Sequence, residues 1–288
     1  MSKGICVITG ASGGIGSALA HQAAERGYDL VLHGRSESSI ANLATQVTAA
    51  SPKTRVTVVV GDLGSAQGAR GVAEQISEVA GNISILFNNA GVLLDRHTKS
   101  PDGLEIHTQV NLIAPFILMH VLKENIARSK GTIINVSSGS IFRARDLDID
   151  QLVKPDKFIK LAGAYSRSKL AMAAVTKAVG KQFANDGVVI ASGNPGPSKT
   201  GMTSSGGLPF IVKLLSPLLY GTAEKGAARI FAAFDAATTQ TNAGGYFDGT
   251  ASKELPKLSG TQGLDRELVE FCKSYADLPQ EFYAHEGK

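Results

Sequence analysis

The feature that most constrains the fold of this chain is the passage from its first apolar run into a cluster of glycines. Ile5 to Thr9 is short, apolar and rich in β-branched residues, and it leads straight into Gly10-Ala11-Ser12-Gly13-Gly14-Ile15-Gly16. A strand, a sharp turn and a helix from about Ser17 to Arg26 are expected, with Gly27 ending the helix. The glycines at 10, 14 and 16 let the backbone turn tightly and let a pyrophosphate approach the main chain. The helix then aims free N–H groups and the positive end of its dipole at the phosphates. Placed between a strand and a helix, the cluster reads as a dinucleotide-phosphate loop.

The same alternation continues. Strands are expected at Leu30–His33, Arg55–Val60, Ser84–Asn88, Thr132–Ser137 and Gly187–Ser192, with a short last one at Tyr246 and Phe247. Helices are expected at about Ser38–Ala50 and Gln67–Ala80. Repeated βαβ units imply a predominantly parallel sheet of about seven strands with helices on both faces, a doubly wound Rossmann arrangement. All 288 residues are expected to form one such domain, since no linker, repeat or low-complexity stretch divides them. In these folds ligands sit beyond the carboxyl ends of the strands, so the residues just after each strand are the ones to inspect.

Composition narrows the function classes. A net charge of +4 without a basic stripe argues against nucleic-acid binding. No stretch is apolar for long enough to span a membrane. No signal-peptide pattern precedes Ile5, and Cys6 and Cys272 are expected to be free thiols, so a cytoplasmic location is expected. The six histidines are scattered without ligand spacing, so no metal is expected.

The loop Thr9-Gly10-x-x-x-Gly14-Ile15-Gly16 resembles that of the short-chain dehydrogenases/reductases, and further motifs extend the resemblance over most of the chain. Gly10, Ser12, Gly14, Ile15 and Gly16 would hold the cofactor phosphates. After the second strand, NAD users of this family tend to carry Asp where this chain has Gly34, and Arg35 and Ser36 follow. A guanidinium offers a fork of donors to a 2′-phosphate, so NADP(H) is the expected cofactor. The resemblance implies that Asp62 and Leu63 hold the adenine. Asn88-Asn89-Ala90-Gly91 matches the family's NNAG, with Asn89, Ala90 and Gly91 beside the adenine ribose and Asn88 tying strands together.

Tyr165 and Lys169 lie at i and i+4, on one face of a helix. A nearby ammonium favours the phenolate, so Lys169 is expected to lower the Tyr165 pKa, and both would contact the cofactor. Ser138, with Ser137 as its competitor, matches the catalytic serine that binds the substrate oxygen. Asn111 matches the family's asparagine, which would hold a proton-relay water. Pro195 and Gly196 match a PGxVxT pattern that seats the nicotinamide. Here Ser198 replaces the Val, Pro197 and Lys199 fill the two variable positions, and Thr200 closes the pattern.

The resemblance thus implies hydride transfer between NADP(H) and a carbonyl or alcohol carbon. Reduction of a C=C bond or isomerisation on the same scaffold is a second reading, and an NADP(H)-binding sensor without turnover is a third. Ser138 and Tyr165 are 27 residues apart, and the insert near 142–162 is rich in charge, with Arg143, Arg145, Asp146, Asp148, Asp150, Lys154 and Lys160. A similar insert, and a similar tail near Gly245-Tyr246-Phe247, occur in the retinol-dehydrogenase-like and protochlorophyllide-reductase-like branch. The region near 201–225, apolar from Leu208 to Tyr220, suits a lid over a lipophilic substrate, a core or oligomer contact, or peripheral contact with a membrane surface. Both a monomer and a homo-oligomer are compatible with the sequence.

Overall fold

The apolar runs become the strands of one sheet. The computed structural model describes residues 2–144, 146–157, 159, 161–197, 221–240, 243–256 and 263–283. The first half runs β1 (Ile5–Ile8), α1 (Gly14–Glu25), β2 (Asp29–Gly34), α2 (Glu37–Ala50), β3 (Val56–Val60), α3 (Ala66–Val79) and β4 (Ile83–Asn88). Next, α4 (Ile106–Thr108) passes through a π-helical turn at Gln109–Ile113 into α5 (Ala114–Val121), followed by α6 (Lys123–Ala127) and β5 (Thr132–Val136). A 3-10 turn at Gly139–Arg143 and α7 (Ile149–Val153) lie between β5 and α8 (Ala164–Asn185), which leads to β6 (Val189–Asn194). Beyond it come α9 (Ala223–Gln240), β7 (Tyr246–Asp248), β8 (Ala251–Lys253), α10 (Leu264–Ala276) and a last 3-10 turn at Gln280–Tyr283.

Among the described residues the sheet has eight strands in the order β3-β2-β1-β4-β5-β6-β7-β8. The expected seven are parallel, and the eighth, β8, returns antiparallel to β7 through Gly249 and Thr250. Gly249 takes the positive φ of +66° that such a tight hairpin needs. The sequence hides β8 because it is three residues long and wholly exposed, so no apolar alternation marks it.

Side chains alternate across the central strands and fill two cores. Cys6, Ile8, Ile85, Phe87 and Ile134 pack under α1, α2 and α9. Val7, Leu86 and Ile133 face the opposite side, under α3, α5, α8 and α10. Strand order reverses between β1 and β4. At that switch point two loops diverge and leave a crevice at the carboxyl ends of the strands. Cys6 and Cys272 are free and buried. Among the described residues no helix is long and apolar enough to cross a membrane, and no cluster of His, Cys, Asp or Glu is placed to hold a metal ion.

Candidate active site

The crevice is a cleft of about 1260 Å³ running from the glycine loop to Tyr165. Gly10 sits at φ +62°, and a Cβ there would lie 2.8 Å from Ala90 Cα. At Gly16 a Cβ would strike the Gly10 carbonyl and come within 2.7 Å of Asn89 Nδ2. These two glycines therefore allow the close packing of loop, helix and β4. The α1 N-terminus has Gly13 as its N-cap, no side-chain cap and no acidic residue in its first turn. Its N–H groups and dipole are left to face the cleft, which is what a pyrophosphate requires. Helix α1 starts at Gly14, not near Ser17, because the glycines themselves form its first turn.

The Asn89 amide fixes the switch point by donating to the carbonyls of Thr9 at 2.9 Å and Gly10 at 3.1 Å. The Ala90 N–H donates to Thr9 Oγ1 at 3.0 Å. Asn88 donates to Asn135 Oδ1 at 2.8 Å, so it does tie β4 to β5. His33, which the sequence reading did not single out, also supports the loop. Its Nδ1 accepts from the Gly10 N–H at 3.4 Å, and its Nε2 pairs with the Gly61 carbonyl at 3.1 Å. Burial holds its pKa below the usual 6.5, so it stays neutral in this role.

Ser12, Gly14, Ile15, Arg35, Ser36, Asp62, Leu63 and Gly91 line the cleft, as do Asn89 and Ala90. The Ser36 hydroxyl also caps α2, accepting from the Ser39 N–H at 3.3 Å. Asp62 Oδ1 accepts from the Gly64 N–H at 3.0 Å. Pro195 and Gly196 close the far end. Asn194, another unforeseen residue, shapes their turn by accepting from the Gly196 N–H at 3.0 Å and donating to Asp248 at 3.0 Å. Ser198, Thr200 and the apolar stretch Leu208–Tyr220 lie outside the described residues.

At the other end of the cleft, α8 carries Tyr165 and Lys169 on the face towards β5. Tyr165 is half-buried and opens onto the cleft. Burial pushes its phenol above the usual 10, and a side-chain hydrogen bond with Ser138 acts in the opposite sense. The expected lowering by Lys169 does not occur in this arrangement. The Lys169 ammonium donates instead to the Val136 carbonyl at 2.7 Å. Its own pKa falls from 10.5 to about 8 through burial.

Of the two serines, Ser138 is the one that meets Tyr165. It also caps the 3-10 turn, accepting from the Ser140 N–H at 3.2 Å. The Ser137 hydroxyl is buried without a partner among the described residues. Tyr246, unforeseen as a contributor, donates its hydroxyl to the Ser138 carbonyl at 3.3 Å. Asn111 is buried in the π turn. Its Oδ1 accepts from the Val92 N–H at 2.9 Å, and its Nδ2 donates to the Val92 carbonyl at 3.2 Å and to Ser168 Oγ at 3.1 Å. A Cβ on Gly91 would lie 3.0 Å from Asn111 Oδ1 and 3.4 Å from Lys169 Nζ, so both side chains approach the same face of Gly91. Val92, Leu93, Val110 and Leu161 give the cleft apolar walls, with Arg143 of the insert also on its lining. The insert is held by Asp146, which pairs with Arg167 at 2.5 and 2.9 Å.

A family model described as short chain dehydrogenase matches residues 4–147. Retinol dehydrogenase 12 of Bos taurus is 32% identical over 76% of this chain and 70% of its own length. Retinol dehydrogenase 13 of Homo sapiens is 30% identical over 91% of this chain and 81% of its own. Among solved structures, the Pseudomonas aeruginosa RhlG/NADP active-site complex superposes with a TM-score of 0.68 at 23% identity, covering 86% of this chain and 96% of that one.

Proposed function

Because the chain belongs to the short-chain dehydrogenase family, we propose that it is an NADP(H)-dependent oxidoreductase acting on the carbonyl or alcohol carbon of an apolar small molecule. The observation that carries this reading is that Ser138, Tyr165 and Lys169 open onto the same cleft as the glycine loop. A regulatory binder of nucleotides has no need of such a proton-handling group.

The residues present fit a dinucleotide. Gly10 and Gly16 make a cradle that a Cβ would obstruct, and the uncapped α1 N-terminus suits a pyrophosphate. Gly34 offers no carboxylate to repel a 2′-phosphate, and Arg35 and Ser36 line the cleft beside it. The RhlG relative was solved with NADP, which supports the same preference. When bound, the nicotinamide supplies or accepts a hydride. Ser138 and Tyr165 then hydrogen-bond the substrate oxygen and stabilise the negative charge that develops on it. Tyr165, held neutral by burial, gives that oxygen its proton. Lys169, which meets Asn111 at one face of Gly91, is the titratable group placed to return a proton to the site. In alcohol oxidation the same groups run in reverse. Val92, Leu93, Val110 and Leu161 suit a lipophilic substrate, in keeping with retinol dehydrogenases among the relatives.

Titration of NADPH and NADH against the wild type and Arg35→Ala tests the cofactor assignment. NADPH is expected to bind about tenfold or more tighter than NADH, a difference of about 1.4 kcal/mol or more, and Arg35→Ala to erase the gap. Equal binding by the wild type, or no effect of the substitution, contradicts the assignment.

A further inference from the structure

Beneath Tyr165 lies a buried pair that the mechanism above does not use. Glu105 and His107 are 0% and 1% exposed. Glu105 caps α4 by accepting from the His107 N–H at 2.7 Å, and its two carboxylate oxygens both lie 2.9 Å from His107 Nδ1. His107 Nε2 lies 3.0 Å from the Leu94 nitrogen, which can only donate. Nε2 must therefore be the bare nitrogen and Nδ1 must carry the proton, so the carboxylate selects one tautomer. His97 adds a further contact, 3.7 Å from Glu105 Oε1.

The segment fastened by His107 continues directly from the cofactor loop Asn89-Ala90-Gly91. It hangs from one helical run at two points, Val92 on Asn111 and Leu94 on His107. Leu93, between these two attachments, forms part of the cleft wall. His107 also meets α8, the helix that carries Tyr165. Its ring stands edge-on to the Tyr165 ring, with centroids 6.2 Å apart and planes at 76°. One side chain thus joins the segment that carries the Leu93 wall to the Tyr165 ring.

We propose that His107, oriented by Glu105, is a positioning residue that sets the Leu93 wall and the Tyr165 phenol at a fixed separation. The proposal rests on the carbonyl-reducing reading of the site. His107→Asn keeps a donor for the Glu105 carboxylate but is too short to accept from Leu94. His107→Gln is long enough to restore that acceptor. Amide hydrogen exchange of residues 92–94, measured on the intact protein with NADPH, is expected to quicken in His107→Asn and to return towards wild type in His107→Gln. With a reducible aldehyde, kcat is expected to fall about tenfold or more in His107→Asn, since small misplacements of reacting groups are costly, while KM for NADPH stays within about twofold. His107→Gln is expected to recover most of the loss. Unchanged exchange, an unchanged kcat, or a His107→Gln variant as impaired as His107→Asn overturns the proposal. If the wild type reduces no carbonyl, the functional reading fails, and the exchange arm alone decides whether His107 holds the wall.

Discussion

Tyr165 and Lys169 share one helix face, and burial favours the neutral form of both, raising the phenol and lowering the ammonium. Tyr165 therefore remains a proton donor throughout the neutral and mildly alkaline range. Lys169 is the group that titrates there, with its pKa brought from 10.5 to about 8. In the free enzyme, kcat/KM for carbonyl reduction is expected to fall as pH rises through about 8, and a profile flat beyond pH 10 contradicts this. The same shift bears on stability. The unfolded lysine binds its proton more tightly, so the folded state gains stability as pH rises from about 8 to 10.5, and below about 8 it carries the cost of a buried charge. Lys169→Met removes that cost. It is expected to abolish turnover while stabilising the protein against urea at pH 7 by about 1–3 kcal/mol. The shared face of Tyr165 and Lys169 was legible because i and i+4 fall together on one helix. The choice of the Val136 carbonyl as the Lys169 partner was not, since it depends on how α8 packs across β5.

Among the elements, the strand-turn-helix at the N-terminus was the most legible, because the strand, its glycine turn and the helix lie in one local segment. Gly16 is its tightest point. Gly16→Ala is expected to weaken NADPH binding about tenfold or more, as an extra methyl in a packed site typically costs 1–3 kcal/mol. Titration of NADPH checks this, and unaltered binding would remove the cradle from the account of the cofactor site. Other elements left no mark in the sequence. The π turn at Gln109–Ile113 has no residue-type signature, so Asn111 was recognisable while its hold on Val92 was not. Contacts such as His33 with Gly10 and Tyr246 with Ser138 join residues from segments far apart in the chain. No spacing rule within one segment can reveal them.

At the scale of the whole molecule, alternation along the central strands was enough to anticipate a sheet with two covered faces, because a one-residue slip would expose every core side chain. How the C-terminal region packs was not anticipated. His120 of α5 is buried against Phe116, Phe183 and Tyr283. Its Nδ1 donates to the Phe116 carbonyl at 2.8 Å. Burial, assisted by Lys123 and Lys273, lowers its pKa from 6.5 to about 4. Below pH 6.5 the unfolded histidine takes up a proton that the folded one refuses. Stability is therefore expected to drain away between about pH 6.5 and 4, by about 2–3 kcal/mol from this group. Unfolding free energies at pH 7 and pH 4.5 should show a smaller difference in His120→Phe than in the wild type, and an equal difference contradicts the assignment. In the proposed reaction, hydride and proton reach a carbonyl together at the Ser138–Tyr165 end of the cleft. The most direct measurement is a single turnover of NADPH deuterated at the transferable C4 position with a lipophilic aldehyde, comparing wild type with Tyr165→Phe. Deuterium is expected on the former carbonyl carbon in the wild type, and a rate about 10²-fold or more lower in the variant, with NADPH still bound. Deuterium at any other carbon, or a variant as fast as the wild type, would contradict that reaction.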